Sequence, residues 1–227
     1  MSFANPFGPE LFAFVRDLTE NNDRDWFNAN KKRYERHVKE PAFAFISGFG
    51  PHLRKISPHF TAIPKSQGGS LFRIYRDTRF SSDKRPYKTH VGIHFRHAAG
   101  ADAHTPGFYL HLQPGESFVG IGLWHPDAPT LLQIREAIVG KPKDWTRARD
   151  AFAKRFELAG ESLKKAPKGF DPDHPLIDDL KRKDFIGSAP LGEADVLAAD
   201  FPKHFIESCR AGAPLVKWMC GAIDVPF

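Results

Sequence analysis

The sequence predicts an α+β fold, with a four-stranded, mainly antiparallel sheet over about residues 71–124 and helices from the N- and C-terminal thirds packed on its apolar face. Three observations predict it. Apolar residues recur at helical spacing at both ends of the chain, over 9–56 and 129–223. Between them, four segments within 70–125 alternate apolar and polar residues, the period of a strand with one buried face. No helix-length segment separates these strands, so they connect as an antiparallel meander. With no repeat and no linker, residues 1–227 read as a single domain.

The elements follow in order. Pro9 suits the first turn of a helix over 9–21, where Leu11, Phe12, Phe14, Val15 and Leu18 form one stripe. Asn21 and Asn22 end it, and Asp23 caps a second helix running to about Glu40, with Trp26, Asn30 and Tyr34 on one face. Pro41 opens a third helix whose far end is weakened by Gly48, Gly50 and Pro51. The strands are "LFRIY" (71–75), "HVGIHF" (90–95), "FYLHLQ" (108–113) and "SFVGIGLW" (117–124). Their apolar set is Phe72 and Ile74; Val91, Ile93 and Phe95; Phe108, Leu110 and Leu112; and Val119, Ile121 and Leu123. This set is expected to meet the helices, leaving the other face polar. Helices resume at "LLQIREAIV" after Pro129 and Thr130, then at "KDWTRARDAFAKRF". A short helix follows over "PLIDDLKRKDFI", with Leu176, Ile177, Leu180 and Phe185 inward. Two separate segments, "ADFPKHFIESCRA" and "PLVKWMCGAI", close the chain.

The net charge is +6, and residues 72–90, "FRIYRDTRFSSDKRPYKTH", carry six cations and two anions. Two thirds of the excess charge therefore sits in one short stretch, which points to an anionic partner. The candidate anion site is Arg73, Tyr75, Arg76, Arg79, Lys84, Arg85, Lys88, His94 and His111, with Asp77 and Asp83 orienting the cations. Arginine's planar fork suits phosphate or carboxylate, and Tyr75, Phe80 and Tyr87 suit stacking on bases. Strand alternation places Arg73 and Tyr75, then His90, His94 and Arg96, then Tyr109, His111 and Gln113 on the polar face. Opposite them, Gly120 and Gly122 leave room for a close approach.

The expected function is binding of a phosphate-bearing small molecule or nucleic acid. An enzyme acting on a small anionic substrate, with Asp77, Asp83, His90, His94 or His111 in acid–base roles, is the first alternative. A structural or interaction protein, in which the run is purely a salt-bridge network, is the second.

Other chemistries lack their signatures. There is no Gly-x-Ser-x-Gly, no phosphate loop and no His-Glu-x-x-His. His90 and His94 lie roughly 13 Å apart along a strand, too far to share one zinc. His97, Asp102 and His104 fall in a loop, and no metal or other cofactor is expected. Two cysteines, Cys209 and Cys220, make neither a disulfide framework nor a zinc site, and a reducing compartment is the default. No signal-peptide pattern and no apolar run of membrane length are found, so a cytoplasmic protein without a membrane partner is expected. Nothing in the pattern sets an oligomeric state.

Several stretches in the same order carry a resemblance. They are "NNDRDWF", "FRIYRDTRFSSDKRPYK", the "GIGLWHP" strand end, "LLQIREAI" and "PKGFDPDHPLIDDLKRKDF". Together they resemble a widespread, mostly bacterial family of conserved hypothetical proteins catalogued as domain of unknown function 2461. The resemblance spans nearly the whole chain. It implies a single full-length domain and brings no activity, cofactor or catalytic residue with it.

Overall fold

The structure, a computed structural model, describes residues 3–100 and 105–227. Helix α1 (Pro9–Glu20) buries the expected stripe from Leu11 to Leu18, and the Asp23 carboxylate accepts from Trp26 N to cap α2 (Arg24–Tyr34). The break expected at about Glu40 is instead a π-helical turn, Glu35–Lys39, and the helix continues as α3 (Glu40–Ile56). Glu40 N reaches back to Glu35 O, a five-residue step. Pro41, which lacks an N–H, follows directly, so the register slips where a normal helical bond is lost.

The sheet has five strands rather than four, all antiparallel, in the order β1-β2-β3-β5-β4. They are β1 (Val91–Arg96), β2 (Gly107–Leu112), β3 (Ser117–Leu123), β4 (Glu157–Ala159) and β5 (Phe185–Leu191). The expected strand at 71–75 is reduced to isolated bridges, Leu71 to Ile93 and Tyr75 to Tyr87. Its parity is also reversed at the start. Leu71 is buried in the core, while Phe72 turns to the other face against His94 and Tyr109.

The two missed strands lie in segments whose composition gives little strand signal. The helix expected through Phe185 stops early: α6 spans only Ile177–Leu180. The buried Arg135 guanidinium, from α4 (Ala128–Gly140), explains the stop. It donates to Leu180 O at 2.7 Å and Arg182 O at 3.1 Å, so carbonyls at the helix end are held from another element. Phe185 then opens β5, paired with Leu123.

The inner face of β1–β3 matches the expected apolar set, with Val91 through Leu123 each nearly fully buried. Helix α8 (Phe201–Ala222) lies on it. At Gly212 a side chain would collide with Ile121, so the glycine lets the helix seat on β3. The two closing helices expected from sequence are this one helix, which passes through Pro214. A proline inside a helix costs about 3 kcal/mol. Beyond it Leu215, Val216, Met219 and Cys220 are fully buried, each stabilising by roughly 1.5–3 kcal/mol, so packing wins. Phenylalanines join the layers, with Phe49 of α3 in edge contact with both Phe95 of β1 and Phe205 of α8. Helix α5 (Pro142–Ala153) covers β5, where Gly187 makes room for the Phe152 ring. The short helix α7 (Glu193–Leu197) leads into α8.

Candidate functional site

The outer face of the sheet carries a cavity of about 560 Å³. Its floor is set by cross-strand register. One row runs His94, Tyr109, Gly120 and Ser188; the next runs Gly107, Gly122 and Ile186. Three glycines thus leave bare backbone in the middle of a sheet. A side chain at Gly107 would press on His94 Nε2, and one at Gly122 on the β5 backbone. A side chain at Gly120 would meet only ordinary contacts, at 3.4 Å or more, and would occupy the cavity itself. Phe72, Phe118 and Trp124 supply aromatic walls, and Lys88, His90 and His111 line one end.

That end is weakly charged despite its basic residues. Burial pushes His90 down to about 4, helped by nearby His111 and Lys88. Burial also lowers His111, against the opposing influence of Gln113 and Glu116. Lys88 is lowered by burial and then by Arg73, and its ammonium sits 5.1 Å over the Phe72 ring. Burial raises the Tyr109 phenol, which keeps its proton. Among the described lining residues, Lys88 is the one ammonium or guanidinium. The rings of His90 and His111 lie 4.4 Å apart, and His111 stacks on Phe118 at 4.7 Å.

At the other end, Trp124 stacks on His125 at 4.3 Å. His125 has φ of 46°, an uncommon conformation for a non-glycine residue. Asp184, nearly inaccessible, holds it there. Its Oδ1 accepts from His125 N at 2.8 Å and pairs with His125 Nδ1 at 2.6 Å. Its Oδ2 accepts from Glu161 N at 2.8 Å, so one carboxylate ties the end of β3 to the segment after β4.

The basic stretch divides into two parts. Lys88, His94 and His111 are brought together in the cavity. Arg73 lies at its edge, exposed and close enough to depress Lys88. The rest form a separate corner. Arg79 pairs with Asp77 at 2.7 Å, and Asp83 takes both Arg76 at 2.6 Å and Arg85 at 2.8 Å. Lys84 Nζ donates to Thr78 O. These hydrogen bonds hold Asp77 at about 2 and Asp83 lower still. Tyr75, placed on the polar face by alternation, is instead 53% exposed beside Tyr87.

Several contributors to the site were missed in the sequence: Gly107, Trp124, the lining from the β4–β5 edge (Gly160, Ile186 and Ser188), and the His125–Asp184 pair behind Trp124. The one local signal was the Gly-Ile-Gly step before Trp124. Asp184 is 59 residues from His125, and no local pattern connects them. The cysteines are buried with thiols pushed up by desolvation, so they are unreactive. No group of His, Cys, Asp or Glu among the described residues is placed to hold a metal. Asp102 and His104 lie outside the described residues. No described helix is long and apolar enough to cross a membrane.

The model of the conserved hypothetical protein family DUF2461 matches residues 10–218, and the chain belongs to that family. No curated protein and no solved structure matches the chain significantly.

Proposed function

We propose that the protein binds a small, planar, mostly apolar molecule bearing one acidic group in the outer-face cavity. The observation that carries this is the cavity's make-up: a glycine floor, aromatic walls and a single half-buried ammonium, Lys88. Flat backbone beneath aromatic walls suits a ring system. An ammonium already partly stripped of water suits one carboxylate, sulfonate or phosphate group. A nucleic-acid surface needs a row of available cations, and here Arg76, Arg79 and Arg85 are engaged by Asp77 and Asp83.

The test is titration with naphthalene-2-sulfonate, followed by its fluorescence. Saturable binding is expected, weakened about tenfold in Lys88→Gln and lost in Gly120→Val. A folded Gly120→Val protein that binds as well as wild type would refute the reading, as would absence of saturable binding.

Acid–base chemistry on such a ligand is a second reading, favoured by His125. Asp184 pairs with its Nδ1, and the imidazole ring stacks on Trp124, a wall of the cavity. Exchange of a bound ligand's acidic C–H with D2O, abolished in His125→Gln, is its expected sign; exchange unaffected by that change removes the residue from the chemistry.

A further inference from the structure

We propose that Tyr109 determines ligand specificity by presenting its hydroxyl oxygen to the cavity as a hydrogen-bond acceptor, so that the ligand is a planar acid carrying a hydroxyl or N–H donor. This rests on the cavity being a ligand site.

The polarity is fixed from outside the cavity. Glu116 lies exposed in the turn after β2, and a carboxylate only accepts. Gln113 Nε2 donates to Glu116 Oε2 at 2.9 Å, which turns Gln113 Oε1 toward His111 Nε2 at 3.1 Å. An amide oxygen also only accepts, so His111 carries its hydrogen on Nε2. A neutral imidazole then has a bare Nδ1. Tyr109 Oη lies 3.0 Å from that atom, and the phenolic hydrogen points there. One carboxylate three hydrogen bonds away thus leaves Tyr109 with lone pairs and no hydrogen for the ligand. Gly92 opposes this oxygen, and a Cβ there would sit 2.7 Å from Oη.

The arrangement requires neutral His111, and its surroundings favour that. Its own burial lowers it and outweighs the Gln113 hydrogen bond and the Glu116 charge, which raise it, while His90 is itself held near 4. Strand β3 brings only the uncharged Phe118 ring. Among the described residues, Tyr109 and Glu116 are its other titratable neighbours. When His111 takes a proton from solvent in acid, both ring nitrogens donate. Tyr109 Oη then accepts from Nδ1–H, and its own hydrogen turns into the cavity. An acceptor site becomes a donor site without any other change.

Three probes of one shape test this: naphthalene-2-sulfonate, 6-hydroxynaphthalene-2-sulfonate and 6-methoxynaphthalene-2-sulfonate. At neutral pH the hydroxyl compound is expected to bind roughly tenfold more tightly than the methoxy compound. That ratio should shrink in mild acid, at a pH where circular dichroism shows the fold intact. Tyr109→Phe should bring it close to one while naphthalene-2-sulfonate still binds. Glu116→Gln, on an exposed side chain, should reduce the ratio because an amide can face either way. If the parent compound binds but the hydroxyl and methoxy compounds are equivalent, or Tyr109→Phe keeps the preference, the acceptor role is refuted and the cavity reading survives. If none of the three binds, both fall. Should Tyr109→Phe fail to fold, the acid and Glu116→Gln arms decide: a ratio unmoved in both overturns the proposal.

Discussion

Replacing Asp184 with Asn should destabilise the protein by about 3–4 kcal/mol. The carboxylate accepts three hydrogen bonds, two at Oδ1 from His125 and one at Oδ2 from Glu161 N. An amide has one oxygen. If it stays toward His125, the amide NH2 faces Glu161 N–H, and a part-buried donor loses its acceptor, which costs roughly 1–3 kcal/mol. The two surviving bonds lose their charge assistance, at about 1 kcal/mol each. Asp184 is 1% exposed, so water has little access to its side of that contact. At about 2–4 °C per kcal/mol for a chain of this size, the melting temperature should fall by roughly 10 °C. Thermal and urea denaturation at neutral pH measure it, with an unchanged urea slope marking a native-state effect. Naphthalene-2-sulfonate binding should also weaken, because the carboxylate fixes the segment bearing Gly160 beside Trp124. A loss below about 1 kcal/mol would refute the reasoning, since the bonds would then be doing no more than surface contacts do.

The same site sets two pH effects, and the basic corner sets a stability and a binding outcome. Burial alone would raise Asp184, but its backbone and His125 hydrogen bonds outweigh burial and lower it, so its contribution is present above the ordinary Asp range and lost as the pH falls through the folded value. His90 is lowered from 6.5 to about 4, so the unfolded chain takes the proton first: stability is full above 6.5, falls as the pH drops and levels off below about 4. Discounting the part still in water, the loss is about 2 kcal/mol, and His90→Gln should flatten the urea-midpoint profile across that window. The double change Arg79→Ala and Arg85→Ala should leave the melting temperature almost unmoved, because both side chains are more than half exposed. In fluorescence anisotropy the protein should show no steeply salt-dependent binding to short oligonucleotides; such binding, abolished in that double variant, would restore the nucleic-acid reading.

How much of this was legible in the sequence depends on the range of the interaction. Strand parity placed Val91 to Leu123 on the inner face and gathered His94, Tyr109, His111, Gly120 and Gly122 on the outer one, because alternation is a property of the strand itself. Caps and turns were equally local, as at Asp23. The segment 71–75 alternates as well, yet it makes only two bridges, and Phe72 lies on the cavity side. Alternation specifies a face only when a partner strand holds the register. The sequence alone could also count two aspartates among six cations, but not assign them. Folding gave Asp77 and Asp83 to the arginines of the loop and left Lys88 for the cavity.

The sequence by itself therefore determined the α+β class, the helix stripes, three of the five strands and the family. Each depends on neighbours within a few residues or on motifs that stand in the chain as written. Only the tertiary structure decided that β5 inserts beside β3, that Pro214 lies within one continuous helix and that Asp184 meets His125. Those outcomes balance burial against local cost between segments distant in the chain, and the partner in each case is known only once the chain has folded.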